Sequence, residues 1–206
     1  MTTQIKICGL RSVRDIQIIN KYDIHYAGFI FASGSKRQLT VDRAREMRKV
    51  LRHDIKAVGV FTHTSIEEVN RIADECDLDI IQLHSDESPN TCERANREVW
   101  KALSIKSEES LKDIEKYKNV KGILVDTYKA GSLGGNGEIF NWDIVKGLSD
   151  KYFTILAGGL EPDNINAAIE LVKPNVVDVC SGVEIEYIKD EEKIKKFVRR
   201  VQYGTK

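Results

Sequence analysis

The chain alternates, and this limits its folds more than anything else about it. Short apolar, mostly β-branched runs occupy residues 5–8, 26–31, 55–61, 78–83, 99–105, 122–126, 153–157 and 176–179. These runs are continuously apolar, as parallel strands buried on both faces should be. Between them lie segments with helical spacing and helix-start signals. Ser12 opens a helix to about residue 21, with Val13, Ile16 and Ile19 on one side. Thr40 precedes Val41, Ala44, Met47, Val50 and Leu51, and Ser65 with Glu68 forms a capping box. Ser88-Pro89 opens a helix to about residue 97, with Pro at the first helical position. Further helices are expected over 107–117, after an Asn141 cap, over 162–171 and over 190–201.

Strict alternation implies right-handed βαβ units. Eight of them close most simply into one α/β domain over residues 1–206, a (β/α)8 TIM barrel with a parallel eight-stranded core. The chain's 206 residues sit near the lower size of that fold, roughly 200, so insertions must be few. An open doubly wound sheet is the alternative, and the lack of a G-x-G-x-x-G after the first strand counts against it.

Lys+Arg and Asp+Glu balance at 32 each, which gives no case for binding nucleic acid or a membrane surface. No apolar run is long enough to span a bilayer, and the N-terminus lacks a signal peptide's apolar core. Cys8, Cys76, Cys92 and Cys180 form no C-x-x-C pair, so reduced thiols in a cytoplasmic protein are expected. His25, His53, His63 and His84 show no metal spacing, and neither a metal nor a cofactor is expected.

In a barrel, all strand C-termini open on one face, where ligands bind. The residues expected there are Cys8, Arg37, His84, Asp126, Gly158-Gly159 and Ser181-Gly182. Cys8 can be a nucleophile, a base or a packed core thiol. Asp126 ends an apolar strand before a long loop. Partial desolvation there would raise its pKa and suit a general acid, whereas an Asp at a strand end also commonly caps. His84 can face ligand or simply be a satisfied polar group. Glycine turns after strands six (Gly134, Gly135, Asn136, Gly137), seven and eight can offer backbone N–H groups to a phosphate, or merely turn tightly. Three such turns on consecutive units favour the phosphate.

Along its whole length the chain resembles the phosphoribosylanthranilate isomerase family. The resemblance rests on KICGL at 6–10, GFIF and SKR within 28–37, VGVF at 58–61, DIIQLH at 79–84, LVD at 124–126, GGNGEIFNW at 134–142, ILAGGLEPDN at 155–164 and VDVCSGVE at 177–184. It implies the Amadori rearrangement of N-(5-phosphoribosyl)anthranilate to 1-(2-carboxyphenylamino)-1-deoxyribulose 5-phosphate, in tryptophan biosynthesis. It also implies Asp126 as general acid, Cys8 as general base, Arg37 on the anthranilate carboxylate and Asp178 near the substrate. The expected partner is a small phosphosugar–anthranilate substrate, with the chain a monomer or homodimer. The chain departs from the family pattern at Ser85, Asn136, Asn141 and Cys180, and in lacking a Pro before Arg37. Two rivals are weighed. A histidine-pathway phosphosugar isomerase would carry an aspartate where Cys8 stands. A phosphosugar-binding module without turnover would have no need of both Cys8 and Asp126.

Overall fold

The computed structural model describes residues 2–105, 107–126 and 142–204. Eight parallel strands pair in sequence order, and β1 pairs with β8 to close the barrel. The strands are β1 (Gln4–Ile7), β2 (Tyr26–Ile30), β3 (Lys56–Phe61), β4 (Ile80–Leu83), β5 (Glu98–Ser104), β6 (Gly122–Asp126), β7 (Thr154–Ala157) and β8 (Val176–Val179). The helices packed around them are α1 (Val13–Ile19), α2 (Val41–Val50), α3 (Ile66–Glu75), α4 (Pro89–Glu93), α5 (Ile165–Val172) and α6 (Glu191–Tyr203).

Successive strand residues face opposite sides, and two separate buried clusters follow. Ile5, Ile7, Ala27, Phe29, Ile81, Leu83, Val177 and Val179 pack outward under the helices. Tyr26, Val58, Ile80, Trp100, Leu124, Ile155 and Val176 fill the barrel's interior. The same alternation turns Lys6, Cys8, Gly28, Gln82, His84, Asp126 and Asp178 inward, above that apolar layer.

Several helix caps match the sequence reading. Ser12, Thr40, Ser65 and Ser88 each accept a backbone N–H in the first turn of the helix they precede, and Ser12 shares a full capping box with Asp15, whereas the box expected at Ser65 is half formed because the Glu68 carboxylate pairs with Arg71. Other elements differ. The helix expected to reach residue 97 ends at Glu93, because Asn96 and Arg97 are pinned to α3 through Asn70 and Asp74. The segment after β5 is a 3-10 helix (Glu108–Lys116). Its apolar residues Leu111, Ile114 and Tyr117 recur every third position, which suits three residues per turn. α5 starts at Ile165, three residues later than expected, since Asn164 bonds both the Glu161 amide and the Gly159 carbonyl. The expected Asn141 cap lies outside the described residues.

One element was not expected at all. After a short 3-10 turn (Ser181–Val183) the chain forms a hairpin, β9 (Glu184–Ile185) with β10 (Ile188–Lys189). Its two turn residues, Glu186 and Tyr187, have φ of 49° and 66°. Paired positive φ values fit the hairpin twist, yet neither residue is the Gly or Asn that marks such turns in sequence.

Trp100 anchors the interior layer, fully buried and edge-on to Tyr26 at 4.8 Å between ring centroids. Trp100→Ala should cost about 3–5 kcal/mol through the cavity it leaves. For a chain this size that lowers Tm by at least about 6 °C, read by calorimetry. A shift of a degree or two would mean that the layer repacks and is not the barrel's structural plug.

Candidate active site

Cys8 sits directly beyond β1, held by bonds to both neighbouring strands. Its amide donates to Val179 O on β8 at 2.9 Å, and the next amide, Gly9, donates to Gly28 O on β2 at 3.1 Å. Two glycines then make room. A Cβ at Gly28 would stand 2.7 Å from Cys8 Sγ and 2.9 Å from its Cα. Gly9 turns with φ of 72°, and a Cβ there would meet Cys180 Sγ at 2.8 Å and Arg37 Cδ at 2.6 Å. So the KICG stretch needs glycine at position 9 for its backbone and for space.

The thiol is 6% exposed, drier than an open rim would leave it. Its pKa is nonetheless lowered, to about 7. A hydrogen bond from the Cys180 thiol is the largest cause. Burial opposes it, and the Lys6 and Lys189 ammonium groups add to the lowering, against the Asp178 carboxylate. Cys180 correspondingly holds its proton, with its own pKa raised first by that hydrogen bond and then by burial. Cys76 and Cys92 lie under helices, and burial pushes each up to about 11.

Opposite β1, Asp126 ends β6 with 29% of its side chain exposed, and its Oδ2 lies 3.4 Å from His84 Nε2. The Gln82 amide meets His84 Nδ1 at 3.1 Å. With that amide donating to Nδ1, the ring's own proton sits on Nε2 and points at the Asp126 carboxylate. Gln82 is buried at β4, and the sequence reading did not single it out.

Arg37 reaches the mouth from the loop after β2 and is already engaged. Its Nε and Nη2 form a bidentate pair with Glu184, at 2.9 and 2.6 Å. Glu184 is buried and also receives Lys189 Nζ at 2.6 Å. Glu184 and Lys189 sit on the hairpin and were missed for that reason. Nη1 of Arg37 takes no part in the pair. Asp178 projects inward from β8 and pairs with Lys6 at 2.7 Å.

The loops after β7 and β8 lie against each other. Gly158 and Gly159 have φ of 90° and 65°, and a Cβ at Gly182 would fall 2.0 Å from Leu160 O. Ser181 and Gly182 open the 3-10 turn beside them. Gly134, Gly135, Asn136 and Gly137, the third expected turn, lie outside the described residues. Ser85, one of the family departures, is bonded into its loop, accepting from the His63 amide at 2.9 Å and pairing with Glu87. Among the described residues there is no cluster of His, Cys, Asp and Glu placed to hold a metal ion, and no helix is long and apolar enough to cross a membrane.

The acidity of the Cys8 thiol can be read by alkylation, since thiolate is the reactive form. Iodoacetamide labelling of Cys8, followed by peptide mass, should rise with pH around a midpoint near 7. Cys76 and Cys92 should stay unlabelled in the folded protein at pH 9. Cys180→Ala should move the Cys8 midpoint upward by removing the donor. A Cys8 midpoint at or above the ordinary thiol value of about 8.5 would contradict this site.

Comparison with known proteins gives the family. The family model for N-(5'-phosphoribosyl)anthranilate (PRA) isomerase matches residues 5–200. An N-(5'-phosphoribosyl)anthranilate isomerase of Clostridium acetobutylicum is 44% identical over 204 residues, covering 97% of this chain and 98% of that one. The crystal structure of phosphoribosyl anthranilate isomerase from Thermotoga maritima superposes with a TM-score of 0.90 at 30% identity, covering 98% of this chain and 99% of that one. A phosphoribosyl anthranilate isomerase in complex with reduced 1-(o-carboxyphenylamino)-1-deoxyribulose 5-phosphate superposes at 0.88 and 29% identity, with the same coverage. The chain belongs to the N-(5'-phosphoribosyl)anthranilate isomerase family of enzymes.

Proposed function

We propose that this chain catalyses the Amadori rearrangement of N-(5'-phosphoribosyl)anthranilate, the isomerase step of tryptophan biosynthesis, with Asp126 as acid and Cys8 as base. The observation that carries the reading is the pairing of two proton-transfer groups at one barrel mouth: a thiol with its pKa near 7 and a carboxyl group beside an imidazole N–H. The reaction asks for that pair. Protonation of the furanose oxygen by Asp126 lets the C1–O bond break and leaves an iminium at C1. His84 Nε2–H faces the carboxylate that this step forms. The iminium acidifies the C2 proton, and the Cys8 thiolate removes it. The resulting enolamine tautomerises to the ketone, C1 gaining a proton as the C2 hydroxyl loses one, and return of the Cys8 proton to Asp126 through solvent restores thiolate and acid. A pKa near the working pH makes a base both present in its active form and strong enough to act.

Binding follows the same face. The phosphate rests on the glycine turns after β7 and β8, at Gly158, Gly159, Ser181 and Gly182. The anthranilate carboxylate meets Nη1 of Arg37, whose Nε and Nη2 Glu184 already fixes. The unbonded Oδ1 of Asp178 is an acceptor for a sugar hydroxyl.

Restored growth of a tryptophan auxotroph lacking this isomerase tests the activity, and failure by a well-expressed chain rejects it. Two variants test the roles. Asp126→Asn should lower kcat by about 10²–10⁴-fold, as for one proton-transfer group. Near-normal kcat would remove Asp126 from the chemistry. Arg37→Ala should raise KM about tenfold or more, the loss of a charge-assisted pair. An unchanged KM would show that Arg37 serves Glu184 alone.

A further inference from the structure

A fully buried lysine inside a barrel calls for a physical account. Lys6 lies on β1 two residues before Cys8, so both side chains point inward. Its ammonium is 2.7 Å from Asp178 Oδ2, on the residue that is its register partner on β8. Such a pair is a poor device for stability alone. Desolvating both ions offsets their attraction, and apolar residues of similar volume often serve as well. This pair is also incompletely satisfied, because Asp178 Oδ1 is buried with no partner. What Lys6 has in addition is a third neighbour. Cys8 follows two residues on along the same inward face, close enough that its sulfur helps hold the Lys6 proton. One cation therefore serves two groups that can be anionic, and the second is the proposed base.

We propose that Lys6 is a positioning residue for proton abstraction: its ammonium, braced by Asp178, faces the Cys8 sulfur and holds it as thiolate. This rests on the assignment of Cys8 as the base. The other groups facing that sulfur are accounted for. Asp178 comes from β8, Cys180 from the turn after it, Lys189 from the hairpin and Arg37 from the loop after β2. Asp178 disfavours the thiolate and the rest favour it, and among the charged groups Lys6 acts most strongly. Lys6 moves no proton itself. Burial works to lower its pKa, and the Asp178 carboxylate and Cys8 sulfur outweigh burial, so it stays charged at neutral pH. When Cys8 accepts the C2 proton its charge vanishes, and the ammonium still has Asp178. The cation thus needs no reorganisation during the step, which is what a preorganised electrostatic partner provides.

The test compares Lys6→Arg, Asp178→Asn and the double variant Lys6→Met/Asp178→Asn, which avoids leaving a buried carboxylate unpaired. Two readouts are taken across pH: iodoacetamide labelling of Cys8 by peptide mass, and kcat with KM. In the double variant the Cys8 midpoint should rise above the parent's, because the Lys6 charge acts more strongly than the Asp178 charge lost with it, and should lie at least one pH unit above that of Asp178→Asn, which differs from it by the ammonium alone. kcat at pH 7 should fall in step and recover as pH is raised, with KM changed less. Lys6→Arg should keep the midpoint within half a unit. Asp178→Asn, which keeps the cation and removes the opposing charge, should bring it below 7. A folded double variant whose Cys8 midpoint lies no higher than that of Asp178→Asn overturns the proposal. So does a raised midpoint in Asp178→Asn, which stands as the test if the double variant does not fold. A midpoint that moves while kcat does not follow overturns the base assignment of Cys8 instead, and with it any catalytic part for Lys6.

Discussion

The pairing of β1 with β8 is the contact on which the site depends. It closes the barrel with an unbroken register from Gln4↔Val176 to Ile7↔Val179. That register does three things at once. It sets Lys6 beside Asp178, it brings the Cys8 amide onto Val179 O, and it carries Cys180 up against Cys8. First and last strands lie far apart in sequence, so the juxtaposition exists only once the barrel closes. A slip of one residue would turn Lys6 and Cys8 into the helical layer and Ile5 and Ile7 into the mouth.

The interior is therefore graded along the barrel axis. Its lower layer is apolar and tightly filled, with Trp100, Tyr26 and Ile155. Above it come Lys6, Asp178 and Gln82, all buried and charged or polar. The mouth holds Cys8 beneath the loops, and Asp126 with His84 nearer solvent. Burial alone would push the Cys8 thiol up; the Cys180 thiol and the Lys6 and Lys189 ammonium groups outweigh it, which is how a residue 6% exposed keeps near-neutral acidity. The hairpin adds a second electrostatic knot, where Glu184 takes both Arg37 and Lys189. That knot fixes Nε and Nη2 of the guanidinium, and the Tyr187 ring lies 5.0 Å from it.

Much of this was legible before the structure was seen. Apolar runs without alternation announced parallel strands, and their eightfold repetition announced closure. Strand ends then placed Cys8, Asp126 and His84 at one face, because strand polarity is shared, whereas Asp178 came from the family resemblance. What stayed hidden has a common physical character. Lys6 reads as a polar interruption in an apolar strand until its register partner is known. Glu184 and Lys189 meet through a turn whose two positive-φ residues, Glu186 and Tyr187, carry no turn signature. The 3-10 run after β5 keeps the same residues a helix would, and only their spacing of three betrays it. Cys180 was visible as a departure from the family pattern, but its bond to Cys8 depends on barrel closure.

In the proposed mechanism Asp126 and Cys8 act from opposite sides of one mouth. A crystal structure of this chain with reduced 1-(o-carboxyphenylamino)-1-deoxyribulose 5-phosphate, the ligand bound in the related isomerase, tests it most directly. The account predicts Cys8 Sγ within about 3–3.5 Å of the ligand's C2, as a reacting pair requires. It further predicts the Asp126 carboxyl on the side of the former ring oxygen and the phosphate against Gly159 and Gly182. A ligand whose C2 faces away from Cys8, or whose phosphate sits elsewhere on the face, would contradict it.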